Sequence, residues 1–509
     1  MAQLIVSTRM AGKRTGGAAA ASLDNFDAAA RVMGAFSDTL GERAPTDSTR
    51  RRTLFLEGEL AEFRARAHEF HSDVLMEPVI HRTTAVTGPL QIEQLRTPPA
   101  ALPLSARATT PEAEKSLGFT VRGGGEPAAN AKVELFLIDS QKQSTTMEAT
   151  TGADGSVRFQ FDGAQWTVAY AMITPAGGYW STVAVQPDDG SVVSLTPLPM
   201  DGPLGWWHRL VGMNSVVEGR GAGIRVGVVD TGVGPHPALE HVRSVGAFIG
   251  GAHDGRPAAG LDARDHGSHV CGIIGARPPA GSGGYVGLAS DADVVSARVF
   301  GETQNANQGD IAHAIEFLAE VEAVDLINMS LGGPSSRIEA DAIATAVEFG
   351  TLSICAAGNE GGAVSFPAAL PDTAAVSALG VNGTVPSGSI DGMNVPTSPD
   401  RKAPNGLYLA SFSNFGGAVS AAGPGVGIIS TVPGTAGDPA PYAAMSGTSM
   451  ACPVATGALA SLLSMDPAYL RLPRGLARAA RASAIQAATA RQIGLARPYE
   501  GAGLVRSAP

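Results

Sequence analysis

The fold of this chain is indicated most clearly by one stretch, Ser446-Gly447-Thr448-Ser449-Met450-Ala451-Cys452-Pro453. A Gly-Thr turn precedes Ser449, and the apolar residues that follow it predict the start of a helix. The unpaired backbone N–H groups and the dipole at a helix N-terminus favour negative charge. Acyl transfer through a serine hydroxyl needs this environment, so Ser449 is a candidate nucleophile.

Two partner motifs lie upstream of this stretch. The segment 224–229 is a β-branched run followed by Asp230, a pattern typical of a parallel strand buried on both faces. A carboxylate at the carboxyl end of such a strand lies where α/β sheets place their active sites. The second motif, Asp265-His266-Gly267-Ser268-His269, precedes an apolar segment and predicts another helix start. A single aspartate or serine in such a place is more often a turn or cap residue, so the combination is what favours catalysis.

The candidates follow one another in the order Asp230, His266, Ser449, which is the order of the catalytic triad in subtilisin. Three further segments carry motifs of the same kind: 328–333, 355–360 and 410–416. With these six ordered motifs, the chain resembles the subtilisin-like serine proteases (the subtilases) over residues 205–490.

The resemblance implies a role for each residue. Ser449 would attack the scissile carbonyl to form an acyl-enzyme, and His266 would take its proton and later give it to the leaving amine. Asp230 would orient the imidazole and stabilise the imidazolium. The side-chain amide of Asn359 and the backbone N–H of Ser449 would bind the oxyanion. These steps require no metal or organic cofactor.

The same resemblance assigns substrate binding to two short segments. They supply the predicted substrate-binding residues Ser330, Leu331, Gly332, Ala357 and Gly358. Gln308 falls where many relatives carry an aromatic residue over the S4 pocket. The family's strong calcium site is not matched, because the loop 281–284 lacks carboxylate and amide ligands; structural calcium elsewhere stays open. The segment 381–407, an insertion rich in Gly, Pro, Ser and Asn, predicts an exposed loop.

The predicted catalytic domain, residues 201–509, has an α/β fold, a subtilisin-like parallel sheet with helices on both faces. Alternating patterns supply its candidate elements, with strands at 224–229, 294–300, 325–329 and 352–356 and helices at 309–321 and 338–349.

Residues 1–82 predict a small α+β unit. Extended stretches at 3–7, 53–56 and 74–81 alternate with two helical patterns, 26–40 and 60–70. The unit resembles the prodomain of subtilases, which implies that it acts as an intramolecular inhibitor with its last residues in the substrate cleft. An unrelated α+β interaction domain is the alternative.

Two more segments separate this unit from the catalytic domain. Residues 83–116 carry several prolines and predict an extended linker. Residues 117–200 show period-two alternation between turn clusters, which predicts a small antiparallel β-sandwich similar to immunoglobulin-like or transthyretin-like accessory modules. Its role stays open between docking a substrate or partner and stabilising its neighbour.

Composition limits the partners. The formal charge of −11 argues against nucleic-acid binding, and no apolar run of 18 residues is present to cross a membrane. The three cysteines, Cys271, Cys355 and Cys452, all lie in segments expected to be buried, which does not match a disulfide framework. With no signal-peptide pattern at the N-terminus, we expect a chain that is cytoplasmic as synthesised or exported by another route.

The function predicted from these observations is a serine endopeptidase that hydrolyses peptide bonds through an Asp-His-Ser triad and is made as a self-inhibited zymogen. Its partners would be protein or peptide substrates, its own N-terminal region and, where activity is controlled in trans, a regulatory protein. The alternative is a catalytically silenced protein of the same fold that acts as a regulated binding or scaffold partner.

Overall fold

The computed structural model describes residues 2–10, 25–30, 33, 37–43, 51–61, 65, 72–84, 114–302, 305–435, 437, 438 and 440–508. The N-terminal unit, by which we mean the described residues up to Thr84, contains strands β1 (Ala2–Thr8), β2 (Ser37–Arg43), β3 (Thr53–Gly58), β4 (Val74–Pro78) and β5 (His81–Thr84). The first four form an antiparallel sheet in the order β2-β3-β1-β4.

This sheet is covered on both faces, because alternate residues of a strand point to opposite sides. Leu4 and Val6 of β1 lie in the unit's own core with Phe26, in a segment where residues 25–30 are helical. Ile5, between them, lies in a core of the C-terminal sheet. The N-terminal unit is therefore docked through apolar side chains.

The strands predicted at 3–7, 53–56 and 74–81 coincide with β1, β3, β4 and the start of β5. The first helical pattern extends too far, because Leu40 lies in β2, where the backbone pairs with β3. Most of the second pattern, 62–64 and 66–70, and residues 85–113 of the predicted linker lie outside the described residues.

Between residues 115 and 195 the chain forms eight strands: β6 (Lys115–Gly123), β7 (Glu126–Pro127), β8 (Lys132–Ile138), β9 (Ser144–Thr150), β10 (Ser156–Phe161), β11 (Thr167–Thr174), β12 (Thr182–Val185) and β13 (Ser191–Leu195). One sheet has the order β10-β6-β13 with β7 beside β6, and the other has the order β12-β11-β8-β9. Residues of both sheets, including Phe119, Val133 and Phe159, share one hydrophobic core.

The C-terminal part contains thirteen strands within the described residues: β14 (Arg225–Asp230), β15 (Arg243–Ile249), β16 (Ala252–Asp254), β17 (Asp293–Arg298), β18 (Ala306–Asn307), β19 (Leu326–Met329), β20 (Leu331–Gly332), β21 (Leu352–Ala356), β22 (Thr373–Val381), β23 (Leu407–Leu409), β24 (Val419–Pro424), β25 (Ile428–Thr431) and β26 (Tyr442–Met445). Nine of them form one sheet in the order β16-β15-β17-β14-β19-β21-β22-β23, with β24 also paired to β22. Its interior pairings are parallel, and only β16 and β23 pair antiparallel.

The α-helices of this part are α1 (Trp206–Leu210), α2 (His266–Gly275), α3 (Gln308–Glu316), α4 (Arg337–Glu348), α5 (Thr448–Ser464), α6 (Pro467–Arg471), α7 (Leu476–Thr489) and α8 (Arg497–Glu500). A π-helical turn, Phe317–Val321, continues α3, and 3₁₀ turns lie at Pro237–Leu239, Pro257–Gly260, Asp391–Asn394, Pro399–Arg401 and Pro404–Gly406.

Helices cover both faces of the large sheet. Val226 and Val228 of β14 lie in a core shared with α2 and α5, whereas Val229 lies in a core shared with α3 and α4. Near-continuous burial of β14 follows from this two-sided packing. The predicted α/β architecture is confirmed, with the correction that the sheet is mixed at its edges.

The N-terminal unit also contacts the C-terminal part through buried charges. Arg51, which is completely buried, donates from Nε to Glu316 Oε1 at 2.8 Å and from Nη2 to Asp341 Oδ2 at 2.5 Å. Its Nη1 donates to the carbonyl of Thr8 at 2.6 Å. Since the two carboxylates lie on α3 and α4, one arginine of the N-terminal unit joins both helices.

We expect Arg51→Ala to lower the stability of the docked chain, because Glu316 and Asp341 would be left buried without this partner. Breaking a buried ion pair from one side costs about 3–5 kcal/mol. The measurement is the denaturant midpoint of the chain in a Ser449→Ala background, which removes self-cleavage. Arg256→Ala is the matched control, since Arg256 pairs with Asp254 on the surface with 82% of its side chain exposed. Equal midpoints for the two variants would contradict the interpretation.

Candidate active site

Asp230 and His266 are joined at the carboxyl end of β14. His266 Nδ1 lies 2.6 Å from Asp230 Oδ1, which also accepts from the backbone N–H of Thr231 at 2.7 Å. Both side chains are buried. Within the described part of the chain, the other ring nitrogen, His266 Nε2, has no hydrogen-bond partner. The imidazole is thus held from one side, and its second nitrogen is available to a reacting group.

Ser449 lies in the first turn of α5, after the N-cap residue Gly447. Its Oγ donates to the carbonyl of Ser330 at 3.0 Å, and Ser330 Oγ donates to the carbonyl of Ser449 at 2.9 Å. Ser330 directly follows β19, and Met329 of β19 is paired with Val229, the residue before Asp230. Since neighbouring strands lie about 4.8 Å apart, this register brings Asp230 and Ser330 to the same edge of the sheet.

A buried polar network that the sequence did not indicate supports the serine. Asn328 Nδ2 donates to Ser330 Oγ at 2.9 Å, and Thr456 Oγ1 donates to Asn328 Oδ1 at 3.0 Å. Thr456 lies in α5 itself, so the network joins the helix to β19. The Asn-x-Ser pattern at 328–330 was visible as a motif, but the partner in α5 depends on tertiary packing.

Asn359 is oriented by the residue before the serine. Its Oδ1 accepts from the backbone N–H of Thr448 at 2.9 Å and from Thr448 Oγ1 at 2.8 Å. Because the amide oxygen faces Thr448, the amide nitrogen is turned away from it. The side chain is almost fully buried, at 1% exposure.

The predicted substrate-binding residues fall into two groups. Leu331 and Gly332 form β20, which pairs with Thr84 and Thr83 of β5. Ser330 is completely buried and bonds to Ser449 as described above.

Ala357 and Gly358 are already hydrogen bonded within the protein. Ala357 donates to the carbonyl of Val376 and accepts from the N–H of Ser365, and Gly358 donates to Thr448 Oγ1. Their assignment to substrate binding stays a prediction.

Strand β5 of the N-terminal unit lies between two strands of the C-terminal part. On one side β5 pairs antiparallel with β20, and on the other it pairs antiparallel with β18, where Ala306 lies opposite Arg82. Gln308 reinforces this contact, because its side chain donates to the carbonyl of Pro78 at 2.6 Å and accepts from the N–H of Ile80 at 2.8 Å.

The insertion 381–407 carries a buried carboxylate. Asp391 accepts a hydrogen bond from Ser446 Oγ, three residues before the candidate nucleophile, and Ser446 Oγ accepts from the N–H of Gly427 at 2.8 Å. On its outer side the insertion contacts the strands at 115–195, since Thr182 Oγ1 donates to the carbonyl of Gly388 at 3.0 Å. The prediction of a simple exposed loop was therefore wrong for Asp391, which is 4% exposed.

His269, three residues after His266, is structural rather than exposed to the cleft. It is completely buried, and its Nε2 lies 3.0 Å from the carbonyl of Ile428 and 3.1 Å from that of Ala443. Burial lowers the pKa of His269 to about 3, because a charged imidazole would lose its hydration there.

In the ranges that the structure describes, no group of three or more His, Cys, Asp or Glu side chains is placed to hold a metal ion. Nor does any described helix combine the length and the apolar character needed to cross a membrane. The three cysteines are buried and not in disulfides.

Comparison with known proteins identifies the family of the C-terminal part. The model of the subtilase family matches residues 221–503. The chain belongs to the subtilase family. It is 32% identical over 251 residues to Subtilisin Savinase of Lederbergia lenta, covering 49% of this chain and 79% of the relative. The corresponding figures are 32%, 49% and 56% for the alkaline protease of Alkalihalobacillus alcalophilus, and 33%, 48% and 70% for the major intracellular serine protease of Bacillus subtilis.

The matched part thus spans a little over half of the alkaline protease and most of Savinase, and it leaves residues 1–220 of this subtilase outside the family model. The family predicted from the sequence is confirmed. The N-terminal unit and the strands at 115–195 lie outside this comparison, so their roles rest on the structure alone.

The buried His269 predicts a loss of stability in acid. An unfolded histidine takes up a proton below about pH 6.5, whereas His269 in the folded chain does so only near its pKa of about 3. The free energy of unfolding should therefore fall by about 1.4 kcal/mol per pH unit as the pH drops below 6.5 on account of this residue. His269→Gln keeps an N–H donor and should weaken that pH dependence by this amount, measured by denaturant unfolding between pH 7 and pH 5. Parallel curves for the two chains would contradict the assignment.

Proposed function

We propose that this subtilase is a serine endopeptidase whose triad is Asp230, His266 and Ser449 and whose cleft is blocked by its own N-terminal unit until it is processed. The observation that carries the proposal is the buried hydrogen bond of 2.6 Å between Asp230 and His266, the first residue of a helix that shares a hydrophobic core with the helix bearing Ser449.

The nucleophile is activated by a change of hydrogen-bond partner. With the N-terminal unit docked, the hydroxyl of Ser449 donates to the carbonyl of Ser330. This hydrogen bond does not activate the hydroxyl as a nucleophile. Rotation of the hydroxyl towards His266 Nε2 lets the imidazole accept the proton as Ser449 attacks the scissile carbonyl. Asp230 then stabilises the imidazolium from the Nδ1 side, and His266 returns the proton to the leaving amine.

The oxyanion is stabilised by the amide nitrogen of Asn359 and the backbone N–H of Ser449. Thr448 supports this role, because it holds the amide oxygen of Asn359 with two hydrogen bonds and so fixes the orientation of the amide. Donors fixed before the reaction stabilise the developing charge without the cost of reorienting. Water then attacks the acyl-enzyme and gives a proton to His266. His266 returns a proton to Ser449 as the acyl group leaves.

The zymogen state rests on strand β5. A peptide substrate of an endopeptidase presents its backbone to the edge strands of the cleft, and β5 already uses both of them, β18 and β20. Thr84 is paired with Leu331, the residue after Ser330, and the carbonyl of Ser330 is 3.0 Å from Ser449 Oγ. Self-cleavage would therefore fall just after this strand, and release of the N-terminal unit would open the cleft.

Kinetics of the processed chain test the proposal. We expect Asn359→Ala to lower kcat by about 10²–10³-fold with little change in KM, because the amide acts on the oxyanion and not on the ground state. Ser449→Ala should abolish hydrolysis. Asn382→Ala, an exposed asparagine in the insertion, is the matched control and should keep the parental kcat. Unchanged kcat in Asn359→Ala, or hydrolysis by Ser449→Ala, would contradict the assigned roles.

A further inference from the structure

Strand β5, the last strand of the N-terminal unit, buries one of its side chains against the C-terminal part. Of its four residues, His81 and Thr83 are exposed and Arg82 is completely buried. A buried arginine needs partners for its guanidinium, because an unpaired charge in the interior is strongly unfavourable. The partners of Arg82 therefore show what the pocket beneath it is built to hold.

The pocket presents a carboxylate, a carbonyl and an aromatic ring. Arg82 Nε donates to Glu339 Oε1 at 2.9 Å, and both side chains are 0% exposed. Arg82 Nη1 donates to the carbonyl of Pro334. The guanidinium carbon lies 4.9 Å from the centroid of the Phe366 ring, a cation–π contact.

All three partners belong to the catalytic part and remain when the N-terminal unit leaves. Glu339 lies in the first turn of α4, where its backbone N–H bonds to the N-cap Ser336 at 3.2 Å, so its position does not depend on Arg82. A carboxylate fixed at the floor of an otherwise closed pocket favours a cation. The flat face of Phe366 and the carbonyl of Pro334 suit the planar, multi-donor guanidinium better than an ammonium group.

We infer that this pocket is an arginine-selective subsite for substrates, which rests on the proposed endopeptidase function. A substrate that keeps the register of β5 has its residue at the Thr84 position opposite Leu331, next to Ser330, so the selected arginine lies a few residues on the N-terminal side of the cut. Glu339 is thus a specificity-determining residue, and Arg82 is the chain's own occupant of the subsite.

The contact sets the size of the expected preference. One hydrogen bond joins the pair, since Arg82 Nη2 and Glu339 Oε2 lack hydrogen-bond partners among the described residues. A hydrogen bond to a charged group contributes more than a neutral one, and the difference corresponds to a preference of about 10-fold in kcat/KM.

The test uses the processed full-length enzyme and three quenched fluorescent peptides that carry the chain's own residues 79–88. They differ only at position 82, which is arginine, its neutral isostere citrulline, or alanine. We expect the arginine peptide to be cleaved with a kcat/KM about 10-fold above that of the citrulline peptide. This comparison uses the wild-type enzyme, so it does not depend on the folding of a variant.

A pair of variants supplies the second measurement. In Glu339→Gln the kcat/KM values for the arginine and citrulline peptides should converge, whereas Glu348→Gln, at the end of the same helix, should keep the wild-type ratio. Equal cleavage of the three peptides by wild type would overturn the subsite and leave the endopeptidase activity standing. Absence of any hydrolysis that depends on Ser449 would instead remove the proposed function, and the inference with it.

Discussion

The site depends first on the register of parallel strands β14 and β19. Because Val229 and Met329 are paired, Asp230 and Ser330 emerge side by side at the same edge of the sheet. Asp230 holds His266 at the start of α2, and Ser330 exchanges hydrogen bonds with Ser449 at the start of α5. Both helices pack on the same face of the sheet, so a slip of one residue in this register would separate Asp230 and His266 from Ser449.

The N-terminal unit contacts the C-terminal part in two ways, through apolar side chains and through buried polar groups. Ile5 and Leu75 add apolar area to the core beneath α3 and α4. Arg51, Glu77 and Arg82 instead meet buried polar groups of those helices; Glu77, for instance, accepts from Ser336 Oγ at 2.7 Å at the start of α4. Desolvation offsets much of the attraction in such buried pairs, so they contribute more to a unique docking geometry than to net affinity. This balance is consistent with the proposal that the N-terminal unit is an inhibitor that is later released.

The predictable features were those with a local signature. Asp230, His266 and Ser449 each lie at the junction of a hydrophobic run and a turn, and the predicted bounds of β14 and α4 are each within one residue of the observed ones. Features set by contacts between distant segments were not accessible in this way. Asp391 lies in a polar insertion and is buried, with a hydrogen bond from Ser446, and the predicted helix 26–40 runs into β2, whose pairing with β3 overrides the local pattern. The acidic partner of Arg82, Glu339, is 257 residues away in sequence.

Self-processing is tested most directly by the intact mass of the freshly purified chain beside Ser449→Ala, followed during incubation. A competent triad behind its own strand β5 predicts that the wild-type chain is cut once, shortly after Thr84, while Ser449→Ala keeps its full mass. If both chains stay whole, or if Ser449→Ala is cut at the same place, then the triad does not process the N-terminal unit. The proposed self-inhibited zymogen would then be wrong.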